Sequence, residues 1–97
     1  MNKYVLLIKF TEKGAAAVQQ SPDRKEAFRT ALQKSGGKVE LALWTMGPYD
    51  GILVAEAPDD ATIAAITLAA GRHGNVTTCT MRAFDAAEFK QILAKMG

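Results

Sequence analysis

Two apolar runs, Val39 to Met46 and Ile52 to Ala57, are separated only by the five residues Gly47-Pro48-Tyr49-Asp50-Gly51. A parallel crossover takes about a dozen residues or more, so the two runs must lie side by side as an antiparallel hairpin. Pro48 presets φ, and the glycines on either side tolerate the unusual φ values of a tight turn. The rest of the 97-residue chain has to be arranged around this hairpin.

Upstream, Lys3 to Phe10 is a strand by its aromatic and branched content. Its apolar residues fall on both faces, which predicts a central position in a sheet. Thr11 to Gly14 breaks the pattern, and Ala15 to Gln20 is expected to form a short helical turn. Ser21-Pro22 then starts a helix, with Ser21 as N-cap, Pro22 at the first helical position and Asp23 near the positive end of the dipole. Ala27, Phe28, Ala31 and Leu32 recur at helical spacing before Gly36-Gly37 ends the element.

Downstream, Pro58-Asp59-Asp60 opens a second helix, whose Ile63, Ile66, Ala69 and Ala70 form an apolar stripe and which stops at Gly71 and Gly74. Asn75 to Phe84 is a fourth strand. Asp85 and Glu88 have the spacing of a capping box, and Phe89, Ile92, Leu93 and Met96 follow at i, i+3, i+4 and i+7. The order strand, helix, strand, strand, helix, strand, helix predicts an α+β, ferredoxin-like βαββαβ fold over a single domain, residues 1–97. Right-handed crossovers place the first two helices on one face of a four-stranded antiparallel sheet, and a C-terminal helix is added.

The other sheet face is then bare. Alternation divides the first strand into Tyr4, Leu6, Ile8, Phe10 and Val5, Leu7, Lys9, and the second into Val39, Leu41, Leu43 and Glu40, Ala42, Trp44, Met46. Both sets are largely apolar, and a soluble monomer exposes contiguous apolar patches of only about 300–600 Å². A cover is expected, either the C-terminal helix or, in preference, a second copy of the chain. Small size points the same way, because domains of this length bury only about 60 to 65% of their unfolded surface.

Composition excludes several function classes. Twelve Lys and Arg against 10 Asp and Glu give a net charge of +2 with the signs interspersed, so no phosphate-tracking surface for nucleic acid is indicated. The densest basic pair, Arg24-Lys25, lies between Asp23 and Glu26 and reads as a solvated helix face. No apolar run approaches the ~18 residues of a membrane span, and Met1-Asn2-Lys3 leading into a short strand does not make a secretory signal, so a cytoplasmic address is expected. One cysteine, Cys79, and one histidine, His73, supply neither an internal disulfide nor a soft-metal site, and no cofactor is expected. Cys79 itself reads as a small buried hydrophobe. No nucleophile triad, phosphate-binding loop or dinucleotide fingerprint is present.

Four motifs in order suggest a family: Gly47-Pro48-Tyr49-Asp50, Glu56-Ala57-Pro58-Asp59-Asp60, Gly74-Asn75-Val76-Thr77-Thr78 and Thr80-Met81-Arg82-Ala83-Phe84. With Thr11-Glu12-Lys13-Gly14 and Gly36-Gly37, they make the chain resemble the GYD domain family of small bacterial proteins, from the first strand to about Phe84. The resemblance implies a ferredoxin-like domain of the dimeric α+β barrel type, in a family whose biochemical role is largely uncharacterised. Two positions depart from the pattern. Gly51 stands where a branched apolar residue is usual, and Cys79 where a polar or acidic one is common.

Five residues are candidates for a ligand site: Tyr49, Asp50, Arg82, His73 and Trp44. Tyr49 and Asp50 set a phenol beside a carboxylate at a barrel mouth, able to bind a small polar molecule or pass a proton; alternatively they only close the turn, with Asp50 capping backbone amides. Arg82 shares a strand face with Thr78 and Thr80, either as an anion clamp or as half of an ion pair with a carboxylate such as Asp50 or Glu56. His73 is either a general base in a loop or a residue serving the last carbonyls of its helix. Trp44 belongs to the core or a subunit interface, or offers a stacking platform. Two functions follow: a homo-oligomeric small-molecule-binding protein with room for cofactor-free chemistry, or a non-catalytic oligomerisation or regulatory module. The first requires a pocket of about 300 Å³ or more, and the second a filled interior.

Overall fold

The computed structural model describes all 97 residues. The strands are β1 (Asn2–Phe10), β2 (Lys38–Trp44), β3 (Gly51–Ala57) and β4 (Val76–Ala83), and the helices are α1 (Glu12–Ala16), α2 (Ser21–Lys34), α3 (Asp60–Gly71) and α4 (Ala86–Ala94), with a 3-10 turn at Val18–Gln20. The sheet is antiparallel in the order β2-β3-β1-β4. This is the ferredoxin-like fold that the element order predicts, with β1 and β3 in the centre.

Helix boundaries follow local chemistry. Asp59 caps α3, its carboxylate accepting from the Thr62 amide at 2.8 Å and the Thr62 hydroxyl at 2.7 Å. Those bonds hold the Asp59 pKa below its usual 3.8. The capping box at Asp85 and Glu88 forms in both directions. Ser21 departs from expectation: it is the first residue of α2, not the N-cap, and Gln20 stands at that position without a side-chain bond to the helix. The Ser21 hydroxyl is used elsewhere, as the acceptor for the Trp44 indole.

Alternation fails at one place. Val39 pairs with Ala55, but Leu41 pairs with Val54, so a β-bulge at Glu40 and Leu41 resets the face of everything after it. Val39, Ala42 and Trp44 consequently face the helices, while Leu41 and Leu43 lie on the far face; simple alternation puts Val39 with Leu41 and Leu43. The bulge stands where Lys3 bonds Glu40 at 2.9 Å and lies within 3.7 Å of Glu56, which also meets Lys38 at 3.7 Å. The Lys3 bond lowers the Glu40 pKa, and Glu40 in turn raises that of Lys3.

The packed core sits at one end of the sheet, under α2 and α3, and is built from Tyr4, Leu6, Leu32, Leu53, Ala55, Ala57 and Ile63. Only 10 residues of the chain are buried, which is few enough to leave two surfaces needing explanation. One is the far face of the sheet, where Val5, Leu7, Ile52 and Val54 are half-buried and Leu41, Leu43 and Met81 are exposed. Cys79 shares this face, opposite Leu7, and is exposed, not buried as its residue type suggests. The other is α4, whose Phe89, Ile92 and Leu93 are exposed and which packs extensively against no other element. The C-terminal helix therefore does not cover the sheet. The molecule measures 51 × 31 × 19 Å along its principal axes.

Candidate functional site

Strand register stacks the helix-facing side chains in rows. Val39, Ala55, Tyr4 and Arg82 form one row, Ala42, Leu53, Leu6 and Thr80 the next, and Trp44, Gly51, Ile8 and Thr78 the third. The first row is closed over by Leu32 and Ile63, while Ala42, Leu53 and Leu6 of the second also line the space beyond it. Above the third row the helices present mainly alanines, and the sheet presents Gly51 and Ala42, so little side-chain volume is available to fill the space between them. A cavity of about 590 Å³ results, bounded by the first half of α2, the second half of α3 and the ends of the strands.

Its wall is mostly apolar, with Ile8, Phe10, Phe28, Ile66 and Val76 contributing the larger surfaces. Polar groups gather among the lining residues: Ser21, Arg24 and Lys25 from α2, Asp50 from the hairpin, and His73, Asn75 and Thr78 from the far side. A short segment ties those sides together. Gly14 of α1 sits directly on the backbone of Asn75, where a Cβ would meet the carbonyl oxygen at 1.9 Å. Thr11 donates its amide to Asn75 O at 3.1 Å, and Lys13 Nζ donates to His73 O at 2.6 Å. From the other direction, the Arg24 guanidinium donates to Ala17 O at 3.0 Å and Gly14 O at 3.5 Å. Arg24 makes no salt bridge; Lys25 meets Glu26 at 2.8 Å and lowers the Glu26 pKa.

The structure brings three of the five candidate residues together. Trp44, Asp50 and His73 all line the cavity. Trp44 is half-exposed, with its indole Nε1–H donating to Ser21 Oγ at 2.8 Å. Asp50 is engaged by backbone: its carboxylate accepts the Phe10 amide at 2.7 Å, its amide donates to Ile8 O at 2.8 Å and its carbonyl accepts from Thr45 N at 2.9 Å. Tyr49 is adjacent in sequence but lines no part of the cavity; its carbonyl accepts from Thr45 Oγ1 at 2.7 Å.

Arg82 lies elsewhere. It pairs with Tyr4, whereas Gly51 pairs with Ile8, four residues along β1 and thus about 13 Å away along the strand. Its guanidinium meets Glu88 Oε2 at 3.1 Å and Asn2 Oδ1 at 3.1 Å, donates to Lys3 O and Ala83 O, and stacks 4.6 Å over the Phe84 ring. Neither Asp50 nor Glu56 is its ion-pair partner; Glu88 is, and it anchors the base of α4. Nearby, the Tyr4 hydroxyl donates to Asp60 Oδ1 at 2.5 Å.

Residues 4–93 match the model of the GYD domain. The chain belongs to the GYD domain family. One relative is 32% identical over 89 residues, covering 91% of this chain and 94% of its own: the glutamine synthetase and cystathionine beta-lyase binding protein of Thermus thermophilus. A similar solved structure is that of TTHA0845, also from Thermus thermophilus, with a TM-score of 0.55, 20% identity and coverage of 89% of this chain and 96% of that one. At that identity the likeness establishes the fold alone. No helix of this GYD protein is long and apolar enough to cross a membrane, and no three His, Cys, Asp or Glu side chains are grouped so as to hold a metal ion.

Arg24 and Lys25 are the site residues that composition hid. Read as a solvated helix face, both are half-buried and line the cavity. A signal for this was present: Phe28 and Leu32 define the inward stripe of α2, and one turn back the same stripe passes through Arg24 and Lys25.

Proposed function

We propose that this protein is a homodimeric small-molecule-binding protein whose ligand occupies the cavity between the sheet and helices α2 and α3. The observation that carries this reading is the cavity itself. Its volume of about 590 Å³ falls within the ~300–1,000 Å³ typical of ligand pockets, and it combines apolar walls with a few polar groups. A module serving assembly alone has no use for alanine and glycine where leucine would fill the space and stabilise the fold. Binding is favoured over catalysis because no nucleophile is paired with a base on the lining, and Asp50 is committed to the Phe10 amide.

Dimerisation belongs to the same reading. It is supported by the apolar far face of the sheet, central in Leu7, Val54, Leu41 and Leu43 and bordered at one end by the Lys3, Glu40, Glu56 and Lys38 charges. A cytoplasmic location fits the single unpaired Cys79. Titration with the apolar dye anilinonaphthalene sulfonate tests the cavity. One dye per chain is expected, and the double substitution Ala31→Leu with Ala69→Leu, which fills the space, is expected to abolish binding without lowering the thermal midpoint. Unchanged dye binding by the filled variant would refute a ligand cavity.

A second reading, docking onto another protein, is supported by two observations: the name of the Thermus relative, which is a binding protein of two enzymes, and the exposed apolar stripe of α4. Gel filtration of this chain with the glutamine synthetase of its source organism checks it, with co-elution expected and truncation after Phe84 expected to abolish the complex.

A further inference from the structure

We infer that the ligand of this cavity is an apolar molecule ending in an anion, held with its apolar body against Phe28, Ile66 and Ile8 and its anionic end at Arg24. The inference rests on the small-molecule reading above and specifies its chemistry.

Charge at the lining is unevenly committed. The one carboxylate there, Asp50, already accepts the Phe10 amide at 2.7 Å. Arg24 is half-buried, lines the cavity and has no carboxylate partner; its contacts are two backbone carbonyls, Ala17 O at 3.0 Å and Gly14 O at 3.5 Å. A guanidinium carries five N–H donors in a fixed fork, so two carbonyl contacts leave donors free for a planar anion. Lys25, also lining, adds a second cation whose partner Glu26 is itself exposed.

Further polar groups accompany these cations. The Asn75 side-chain amide, the Thr78 hydroxyl and the His73 imidazole line the cavity, and none makes a hydrogen bond elsewhere in the chain. Gly14 bridges the two groups in space, accepting from Arg24 on one side and resting on the Asn75 backbone on the other. An apolar cation would meet Arg24 and Lys25 with like charge, and a neutral apolar molecule would leave the guanidinium fork unused.

Trp44 is the only tryptophan and lines the cavity, so its fluorescence reports occupancy directly. The probes are three molecules of one shape: 4-phenylbutanoate, 4-phenylbutanol and 4-phenylbutylamine. The acid is expected to bind at least about tenfold more tightly than the alcohol or the amine, as a charge-assisted hydrogen bond implies. Arg24→Gln is expected to erase that preference by weakening the acid far more than the alcohol, and Arg24→Lys to retain most of it. Should Arg24→Gln disturb α1, Lys25→Gln offers a milder variant, with the acid expected to weaken about threefold relative to the alcohol. Equal binding of acid and alcohol, or tighter binding of the amine, would overturn the anionic class while leaving the ligand cavity standing. An acid preference untouched by the Arg24 and Lys25 variants would overturn their assignment. Silence of Trp44 toward all three probes at millimolar concentration would overturn both the inference and the reading beneath it.

Discussion

The indole of Trp44 and the hydroxyl of Ser21 meet at 2.8 Å, joining the end of edge strand β2 to the first turn of α2 beside the cavity. Ser21 is buried, so its hydroxyl oxygen needs a partner inside the protein, and the indole supplies one. Ser21→Ala is expected to cost about 1 kcal/mol, the net value of one hydrogen bond, measured as a lower urea midpoint at unchanged slope.

Asp50 has a structural role at the cavity edge. Its carboxylate is the partner of the Phe10 amide where β1 extends beyond its pairing with β3. Asp50→Ala leaves that amide unpaired and is expected to cost about 1–3 kcal/mol in chemical denaturation, whereas Asp50→Asn, which keeps an acceptor oxygen, restores most of it.

Gly14 has no space for a side chain. A Cβ would stand 1.9 Å from Asn75 O and 2.8 Å from Asn75 C, both backbone atoms that cannot rotate aside. Gly14→Ala is expected to destabilise by about 3 kcal/mol, the upper part of the overpacking range, and to remove hydrogen-exchange protection from the Thr11 amide that bonds Asn75 O.

Tyr4 gives the fold an alkaline limit. Burial, reinforced by its bond to Asp60, raises the phenol pKa above 10.0. A group with a raised folded pKa contributes stability that is complete below its unfolded value and is lost as pH climbs through the folded one. Thermal midpoints are therefore expected to fall more steeply above about pH 10 for the native chain than for Tyr4→Phe, the difference between the two isolating this phenol from the lysines.

Leu7 lies near the centre of the uncovered sheet face, paired with Ile52 on one side and Cys79 on the other. If two sheets pack there, Leu7→Asp buries an unpaired carboxylate and is expected to weaken association by at least about a hundredfold. Sedimentation at micromolar concentration then gives the 10.4 kDa chain mass for the variant and twice that mass for the native protein.

Local signals made most of the fold legible. The hairpin, the Asp59 cap, the Asp85 and Glu88 capping box and the glycines that stop the helices each act over a few residues and form as their spacing implies, although the hairpin loop runs over residues 45–50 and Gly51 belongs to β3. The bulge at Glu40 was hidden because it is a property of how β2 pairs with β3, and without it the face of Trp44 relative to Val39 is misassigned.

The candidate site was legible only in part, for the same reason. Sequence by itself determined the order and type of the elements and named Tyr49, Asp50, Arg82, His73 and Trp44 as candidates, because turn chemistry and periodicity are properties of neighbouring residues. Tertiary structure decided which of these side chains share a space. Antiparallel register carried Arg82 to the opposite end of β1 and paired it with Glu88, while the inward stripe of α2 turned Arg24 and Lys25 from surface charges into cavity residues. Whether a row between helix and sheet is filled or empty depends on the sum of side-chain volumes from several separate elements, and no single stretch of the chain contains that sum.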